Sequence, residues 1–152
     1  MKKENTLYIV VPCYNEEEVL HETTKRLKEK LNKLIKDKII SKDSRVMYVN
    51  DGSKDNTWSI IKEINNKEEL FTGITLSRNR GHQNALVAGL LTAKEYADII
   101  ISMDADLQDD INAIDEMLVK YSEGCEIVYG VRSSRKNDTM FKKITAEGFY
   151  KF

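Results

Sequence analysis

Short apolar runs along the chain alternate with longer segments in which apolar residues recur every three or four positions. The runs predict buried β-strands, and the recurring positions predict amphipathic helices with one face on a core. Predicted strands cover Leu7–Val11, which Pro12 ends, Arg45–Asn50, Phe71–Leu76, Asp98–Met103 and Glu126–Tyr129. Because predicted helices separate the strands, we expect an α/β fold, a mainly parallel sheet flanked by helices.

The first two predicted helices begin at polar residues that are able to cap them. Asn15, with Glu18 three positions later, has the spacing of a capping box, and Asp55 or Asn56 caps the second helix. A third helix is predicted from about His82 to Tyr96 and a fourth over residues 112–122. The expected core positions of the first three helices are Leu20, Leu27, Leu31, Leu34, Ile60, Ile61, Ile64, Leu86, Ala88, Leu90 and Ala93.

Composition restricts the class of protein. A chain of 152 residues, 41% hydrophobic, is the size of one domain with a real core, and its formal net charge of −1 gives no indication of nucleic-acid binding. Cys13 and Cys125 fit no metal or disulfide spacing, which favours a reduced cytosolic protein. The apolar run Leu7–Val11 is too short for a signal-peptide core, and no segment reaches the roughly 18 apolar residues of a membrane span.

Four carboxylates follow the fourth predicted strand within residues 104–110. In open α/β sheets, ligands bind outside the carboxyl ends of the strands. If the chain stays extended here, Asp104, Asp106 and Gln108 lie on one side, about 6.5–7 Å apart along the chain. Their oxygen atoms suit Mg²⁺ or Mn²⁺. The alternative, an acidic loop that caps the next helix, is favoured for Asp109 and Asp110.

The first strand-to-helix turn has no glycine, whereas a dinucleotide-binding turn is glycine-rich. It carries Glu16, Glu17 and Glu18 instead, which would repel a phosphate, and the chain has no Walker-type loop. A bound nucleoside diphosphate would therefore need a counter-charge from elsewhere. A divalent ion at Asp104 and Asp106 is the available source.

A family resemblance rests on five segments in order, Val10–Glu16, Val49–Thr57, Ser77–Gly81, Asp104–Gln108 and Tyr129–Arg135. Together they resemble the amino-terminal part of glycosyltransferase family 2, which has the GT-A (Rossmann-like) fold. The last two segments are similar to the polyprenyl-phosphate branch, which includes dolichyl-phosphate mannose synthase and bacterial undecaprenyl-phosphate glucosyltransferases. One departure is Asn50, where many relatives have a second aspartate.

The resemblance implies a role for each matching position. At the nucleoside of a nucleotide-sugar donor it places Pro12, Tyr14 against the base, Glu16, Asp51 at the base or ribose, and Val49 beneath it. At the sugar and diphosphate it places Asp104, Ala105 and Arg78, with Mg²⁺ or Mn²⁺ held by Asp106, Asp104 and Gln108, and it makes Asp106, Arg132 and Arg135 catalytic. From the residues alone, a turn residue before Gly52 is the favoured interpretation of Asp51, and Tyr14 is equally a half-buried aromatic. Arg80 is interpreted as a surface charge and Cys13 as a small buried residue.

The implied reaction is transfer of a hexose, with inversion, from a UDP-sugar to a polyprenyl phosphate. Such an acceptor needs no general base, because its second pKa is about 6 and it is already an anion at neutral pH. Accordingly, neither His21 nor His82 has to act as a base. Two alternatives stay open: a family 2 enzyme with a sugar hydroxyl acceptor, and an inactive sugar-nucleotide-binding fragment. A sugar-phosphate nucleotidyltransferase is disfavoured, because Pro12–Glu16 is not a glycine-rich basic loop.

We expect one domain over residues 1–152, truncated before an acceptor-binding remainder. The segment Lys136–Phe152 combines an apolar stripe with Lys142, Lys143 and Lys151, which fits either a basic helix on a membrane surface or a helix packed on its own domain. The expected partners are a nucleotide-sugar donor, a polyprenyl-phosphate acceptor and a membrane surface, with no nucleic acid. The expected location is the cytoplasmic face of the membrane.

Overall fold

A computed structural model of the chain describes residues 4–106 and 108–131. Its elements are β1 (Leu7–Cys13), α1 (Leu20–Lys36), β2 (Arg45–Asn50), α2 (Thr57–Lys67), β3 (Phe71–Thr75), α3 (His82–Ala93), β4 (Ile99–Ser102) and α4 (Ala113–Ser122). The strands form one parallel sheet in the order β3-β2-β1-β4. The prediction of an α/β fold with a parallel sheet is thereby confirmed.

Strand β1 is central and extends two residues beyond its predicted end, through Pro12 to Cys13. Its pairing with β4 stops at Val10, whereas its pairing with β2 continues to Cys13 opposite Asn50. At Pro12 the strand therefore has a neighbour on one side only. Proline, which lacks the N–H that a ladder needs, is tolerated at such a position, so the strand does not end there.

Helix α1 buries the four leucines predicted for its core face, Leu20, Leu27, Leu31 and Leu34. Its start differs from the prediction, because the helix begins at Leu20 and Val19 is the N-cap residue. Asn15 has a left-handed backbone, with φ of 54°, and its side-chain oxygen accepts a hydrogen bond from the Lys54 N–H at 2.9 Å. The predicted capping box is therefore wrong: Asn15 bonds to a distant loop.

Helix α3 lies on the sheet through its smallest residues, Ala85, Gly89 and Ala93. A Cβ at Gly89 would be 2.7 Å from Val49 Cγ2 and closer still to Val10 Cγ1. Only glycine permits this approach of helix to sheet. Of the predicted core positions in this helix, Ala93 is buried, while the larger side chains Leu86 and Leu90 pack against the core only in part.

The chain forms two compact units, Met1–Ile114 and Asp115–Phe152, and the sheet lies in the first. In the second unit, α4 is followed by no strand at residues 126–129, so that prediction is wrong. Ile127 and Tyr129 are 73% and 83% exposed. Their β-propensity has no effect, since no neighbouring strand among the described residues pairs with them. Within residues 4–106 and 108–131, no helix has the length and apolar character needed to cross a membrane.

Candidate functional site

Four loops meet at one edge of the sheet, because the carboxyl ends of all four parallel strands point the same way. They cover residues 14–19 after β1, 51–56 after β2, 76–81 after β3 and 103–112 after β4. We call this edge the carboxyl edge. Ligands of open α/β sheets bind there, and the described residues predicted to contact a ligand lie in or beside these loops.

Hydrogen bonds join the loop after β1 to the loop after β2. The Asn15 N–H donates to Ser53 Oγ at 3.0 Å, and the Glu16 N–H donates to Thr57 Oγ1 at 2.8 Å. With the Lys54–Asn15 bond, these contacts fix the backbone on both sides of Glu16. The Glu16 backbone is consequently held at the carboxyl edge, against the start of α2.

The neighbouring residue Glu17 serves this junction as well. Its Oε2 accepts hydrogen bonds from the Asn56 backbone N–H at 2.9 Å and from Asn56 Nδ2 at 2.8 Å. Asp55 accepts from the Glu17 N–H and, at 3.0 Å, from the Thr57 N–H at the start of α2. Burial acts to raise the pKa of Asp55, but the hydrogen bonds from Thr57 and Glu17 outweigh it and hold that pKa below the ordinary value. Of the two predicted caps, Asn56 is the N-cap residue of α2 but makes no side-chain cap bond, and Asp55 accepts the N–H of the first helical residue instead.

Asp51 joins the loop after β2 to the loop after β3. Its side chain is buried, with 2% exposure, and its two oxygens accept the backbone N–H groups of Arg80 at 2.7 Å and Gly81 at 2.9 Å. At Gly52, with φ of 63°, a Cβ would lie 2.5 Å from the Arg78 carbonyl carbon. Asp51 thus anchors the residues just before α3. Its predicted contact with a base or ribose stays a prediction.

The acidic segment after β4 is not extended, which corrects the geometry assumed from the sequence. Asp104 and Asp106 are exposed, with the buried Ala105 between them. A turn at 105–106 brings the Gln108 N–H to Asp106 Oδ1 at 3.1 Å. The even spacing expected for Asp104, Asp106 and Gln108 is therefore absent, because a side chain-to-backbone turn replaces extended backbone.

The two remaining aspartates of this segment have structural partners. Asp109 Oδ2 accepts the backbone N–H of Asp104 at 3.1 Å, and Asp110 Oδ1 accepts that of Asn112 at 2.9 Å, just before α4. This agrees with the interpretation of Asp110 as a helix-start residue. Asp109 instead closes the loop back onto Asp104, and so helps to shape the acidic segment.

Negative charge accumulates between the loops after β1 and β4. Burial raises the pKa of Glu16, and the charges of Asp106, Asp55 and Asp104 raise it further. These carboxylates repel one another in the absence of a cation, and hard oxygen atoms are the ligands that Mg²⁺ and Mn²⁺ prefer. The oxygen-donor chemistry of these side chains therefore suits a divalent ion.

A complete metal site is not assembled, however. In the part of the chain that the structure describes, no three His, Cys, Asp or Glu side chains are arranged to hold an ion. The predicted ligand set of Asp104, Asp106 and Gln108 consequently stays a prediction. A bound diphosphate would have to supply further oxygen ligands, as is common for Mg²⁺ sites.

His82, to which the sequence analysis gave no role, lies beside the acidic segment. It is the first residue of α3, and its Nε2 lies 3.8 Å from Asp104 Oδ1, with both side chains about half exposed. The signal in the sequence was weak: a histidine directly after Gly81, at the end of a polar turn. Asp51 fixes this helix start through Gly81 and so also fixes the backbone beside His82.

The other predicted site residues differ in accessibility. Tyr14 is 39% exposed and Arg78 is exposed, whereas Pro12 and Val49 are buried. Burial raises the pKa of the Cys13 thiol far above its ordinary value, which makes a nucleophilic thiolate unfavourable. Arg132, Arg135 and the segment Lys136–Phe152 lie outside the described residues, as does Leu107.

Comparison with known proteins gives the family. The family model described as glycosyl transferase family 2 matches residues 8–151. The chain belongs to glycosyl transferase family 2. The resemblance inferred from the five sequence segments is thereby confirmed.

Three similar proteins illustrate the membership. Over 145 residues the chain is 55% identical to the uncharacterized glycosyltransferase YkoT of Bacillus subtilis, covering 95% of this chain and 43% of that protein. It is 38% identical to the prophage bactoprenol glucosyl transferase homolog of Escherichia coli, covering 94% of this chain and 44% of that protein. The mannosyltransferase PcManGT of Pyrobaculum calidifontis, solved with GDP-Man and Mn²⁺, superimposes with a TM-score of 0.60 at 22% identity, over 74% of this chain and 31% of that one. This likeness confirms the GT-A type of fold.

The chain spans less than half the length of the curated relatives it matches, 43% and 44% in these two cases. It corresponds to a part of them that contains the sheet and the carboxyl edge. What the whole relatives do is therefore a matter of proposal for this chain.

Proposed function

We propose that the chain is the donor-binding part of a metal-dependent, inverting glycosyltransferase that moves a hexose from a UDP-sugar to a polyprenyl phosphate. Family membership supports this, as does the similarity to a bactoprenol glucosyl transferase homolog. The observation that carries the proposal is that the exposed carboxylates Asp104 and Asp106 follow β4 at the carboxyl edge, the same edge that carries Glu16 after β1. A nucleoside diphosphate can bind beside three negative side chains only with a cation.

Asp104 and Asp106 would hold Mg²⁺ or Mn²⁺, together with Gln108. The bound ion would supply stabilisation of the negative charge that develops on the departing diphosphate. The protein's task is to keep the two carboxylates in place. The bonds that the Asp104 N–H donates to Asp109 and the Gln108 N–H donates to Asp106 contribute to this.

The nucleoside would lie over the loops after β1 and β2. The exposed ring of Tyr14 would be available to stack on a base, and a hydrogen bond from the next residue, Asn15, to Ser53 joins this loop to the loop that begins with Asp51. Pro12 and Val49, both buried, would support the floor of the pocket from below. Ala105 would flank the sugar between the two metal-binding aspartates.

The cationic residues would act on phosphate groups. The exposed Arg78, in the loop after β3, would meet the donor, and Arg132 and Arg135 would meet the diphosphate or the acceptor phosphate. Guanidinium groups suit this role, since they donate two parallel hydrogen bonds to phosphate oxygens. The anionic acceptor would then displace the diphosphate in one step, with inversion and without a general base.

The acceptor places the reaction at the cytoplasmic face of a membrane, where a polyprenyl phosphate presents its head group. The basic segment Lys136–Phe152, or the remainder found in the longer relatives, would make the membrane contact. A transfer assay with polyprenyl phosphate and an oligosaccharide as competing acceptors tests this part. Transfer to the oligosaccharide alone would favour the polysaccharide-type alternative, and absence of both transfer and donor hydrolysis would favour an inactive fragment.

Calorimetric titration of UDP, with and without Mn²⁺, tests donor binding. Asp106→Asn removes one charge from the acidic segment and should weaken Mn²⁺-dependent UDP binding at least tenfold. Asp43→Asn is the matched control, because Asp43 is an exposed aspartate just before β2, at the opposite edge of the sheet. Equal UDP affinity in Asp106→Asn and wild-type protein would contradict the assignment.

A further inference from the structure

One residue of α1, Thr23, makes a hydrogen bond to the acidic segment at residues 104–110. Thr23 is buried, with 1% exposure, and its hydroxyl donates a hydrogen bond to the carbonyl oxygen of Ala105 at 2.6 Å. Ala105 is itself buried and is the residue between Asp104 and Asp106. The contact joins positions 82 residues apart in the sequence, so it is a tertiary contact.

The hydroxyl has a second possible acceptor, the carbonyl of Val19 one turn earlier, at 3.1 Å. A hydroxyl has one hydrogen, and 2.6 Å is at the short end of the range for O–H···O bonds, so the Ala105 carbonyl is the main acceptor. A mid-helix threonine usually satisfies itself on the preceding turn. Here the Thr23 hydroxyl bonds mainly to a carbonyl outside its own helix.

We propose that Thr23 is a positioning residue that fixes the backbone between Asp104 and Asp106, and thereby the separation of the two metal-binding carboxylates. This inference rests on the proposed function. The segment leaves the sheet at Met103, whose N–H still donates to Val10 at 3.1 Å. After that point the bonds that Asp109 and Asp106 accept lie inside the loop itself, and a bond from Lys30 of α1 to the Asn112 side chain holds the far end of the loop. The Thr23 bond ties the turn to α1.

The physical consequence follows from where the hydrogen bond lies. A buried carbonyl that loses its donor is costly, so without the hydroxyl the Ala105 peptide would rotate or shift toward another donor. Either movement changes the direction of the side chains on both sides of it. Groups that orient the ligands of a metal typically alter its affinity 10- to 100-fold when removed.

The test variant is Thr23→Val, which keeps the branched shape and removes the hydroxyl. Its matched control is Thr24→Val, since the Thr24 hydroxyl bonds to the Leu20 carbonyl at 2.7 Å and to the Tyr48 hydroxyl at 2.8 Å, both outside the acidic segment. Thr23→Ser restores a hydroxyl in the same place. All three variants and wild type are titrated with UDP in Mn²⁺, and their thermal midpoints and amide hydrogen exchange over residues 103–109 are measured.

Thr23→Val should weaken Mn²⁺-dependent UDP binding about tenfold and speed exchange over residues 103–109, while Thr23→Ser restores both. Thr24→Val should lower the thermal midpoint without changing the UDP affinity or the exchange over residues 103–109. If wild-type protein binds UDP but Thr23→Val binds it equally well, or if Thr24→Val weakens binding as much, the positioning role is wrong. If wild-type protein binds no UDP, the proposed function is wrong and this inference with it.

Discussion

Replacing Asp51 by asparagine tests whether this residue anchors the loop before α3. The carboxylate accepts two backbone N–H groups, from Arg80 and Gly81, at a site with 2% exposure. Asparagine keeps one acceptor oxygen and places an NH₂ group against the second backbone N–H. The shape of the side chain is almost unchanged, so the variant isolates the hydrogen bonds.

The expected loss of folding stability follows from the two hydrogen bonds that Asp51 accepts. A hydrogen bond to a charged group contributes about 1.5–3 kcal/mol, and a buried donor left without a partner costs about 1–3 kcal/mol. Since one bond is lost and the other loses its charge, we expect the free energy of unfolding to fall by about 2–3 kcal/mol. For a chain of this size that corresponds to a fall in Tm of about 5–10 °C.

Urea denaturation and amide hydrogen exchange measure the effect. Exchange at Arg80 and Gly81 should become faster, because one of the two N–H groups loses its Asp51 acceptor and the other is left with a neutral amide oxygen. Asp98→Asn is the control: Asp98 Oδ2 accepts a single backbone N–H, that of Thr6, at 2.8 Å and at an exposed site, so it should lose no more than about 1 kcal/mol. Equal stability losses in Asp51→Asn and Asp98→Asn, or unchanged exchange at Gly81, would refute the reasoning.

Two further predictions concern the acidic cluster and the core. Because folding raises the pKa of Glu16, its ionised form is disfavoured in the folded chain, and its unfavourable contribution is present above the raised pKa and disappears as pH falls below the ordinary value of about 4.3. Glu16→Gln should therefore raise Tm at pH 7 and lose this advantage near pH 4; a constant advantage across that range would contradict the sign. Gly89→Ala places a Cβ against Val10 and Val49, so overpacking of about 1–3 kcal/mol should exceed the helix-propensity gain of about 1 kcal/mol. A thermal midpoint at or above that of wild type would contradict this prediction, because it would mean that the sheet shifts to accommodate the added Cβ.

The fold could be predicted because its signals are local. The apolar runs at β1 to β4 and the leucine spacing of α1 are written within single segments, and alternation of the two types implies a parallel sheet. The contact of α3 with the sheet was harder to predict from the sequence. Ala85 and Gly89 are weakly hydrophobic, and their importance comes from the β-branched side chains of Val10 and Val49 on neighbouring strands.

The site was predicted in its location but not in its local geometry. The position of Asp104 and Asp106 after the apolar run of β4 predicts that they lie at the carboxyl edge, and the structure places them there, although only Ile101 of this strand is buried. The prediction of extended backbone here was wrong, because the Asp106 carboxylate accepts the Gln108 N–H and the chain forms a turn. Asn15 failed as a cap for a related reason, because its partner, Lys54, belongs to another loop.

Thr23 shows the limit of reading one segment at a time. It occupies an ordinary polar position on an amphipathic helix, and nothing in its neighbourhood along the chain indicates its acceptor. Its partner, Ala105, is brought to it only when β4 pairs with β1 and the acidic segment passes over α1. Such residues are found from the folded chain, by following the backbone groups of the site to their donors.

The central claim is that the carboxyl edge holds a sugar-nucleotide diphosphate through a metal ion at Asp104 and Asp106. The most direct measurement is an anomalous scattering map of Mn²⁺ in crystals of this chain grown with UDP. We expect a manganese peak in contact with both the carboxylates of Asp104 and Asp106 and the diphosphate of UDP. A manganese peak elsewhere, or UDP bound with no metal between it and these two residues, would contradict it.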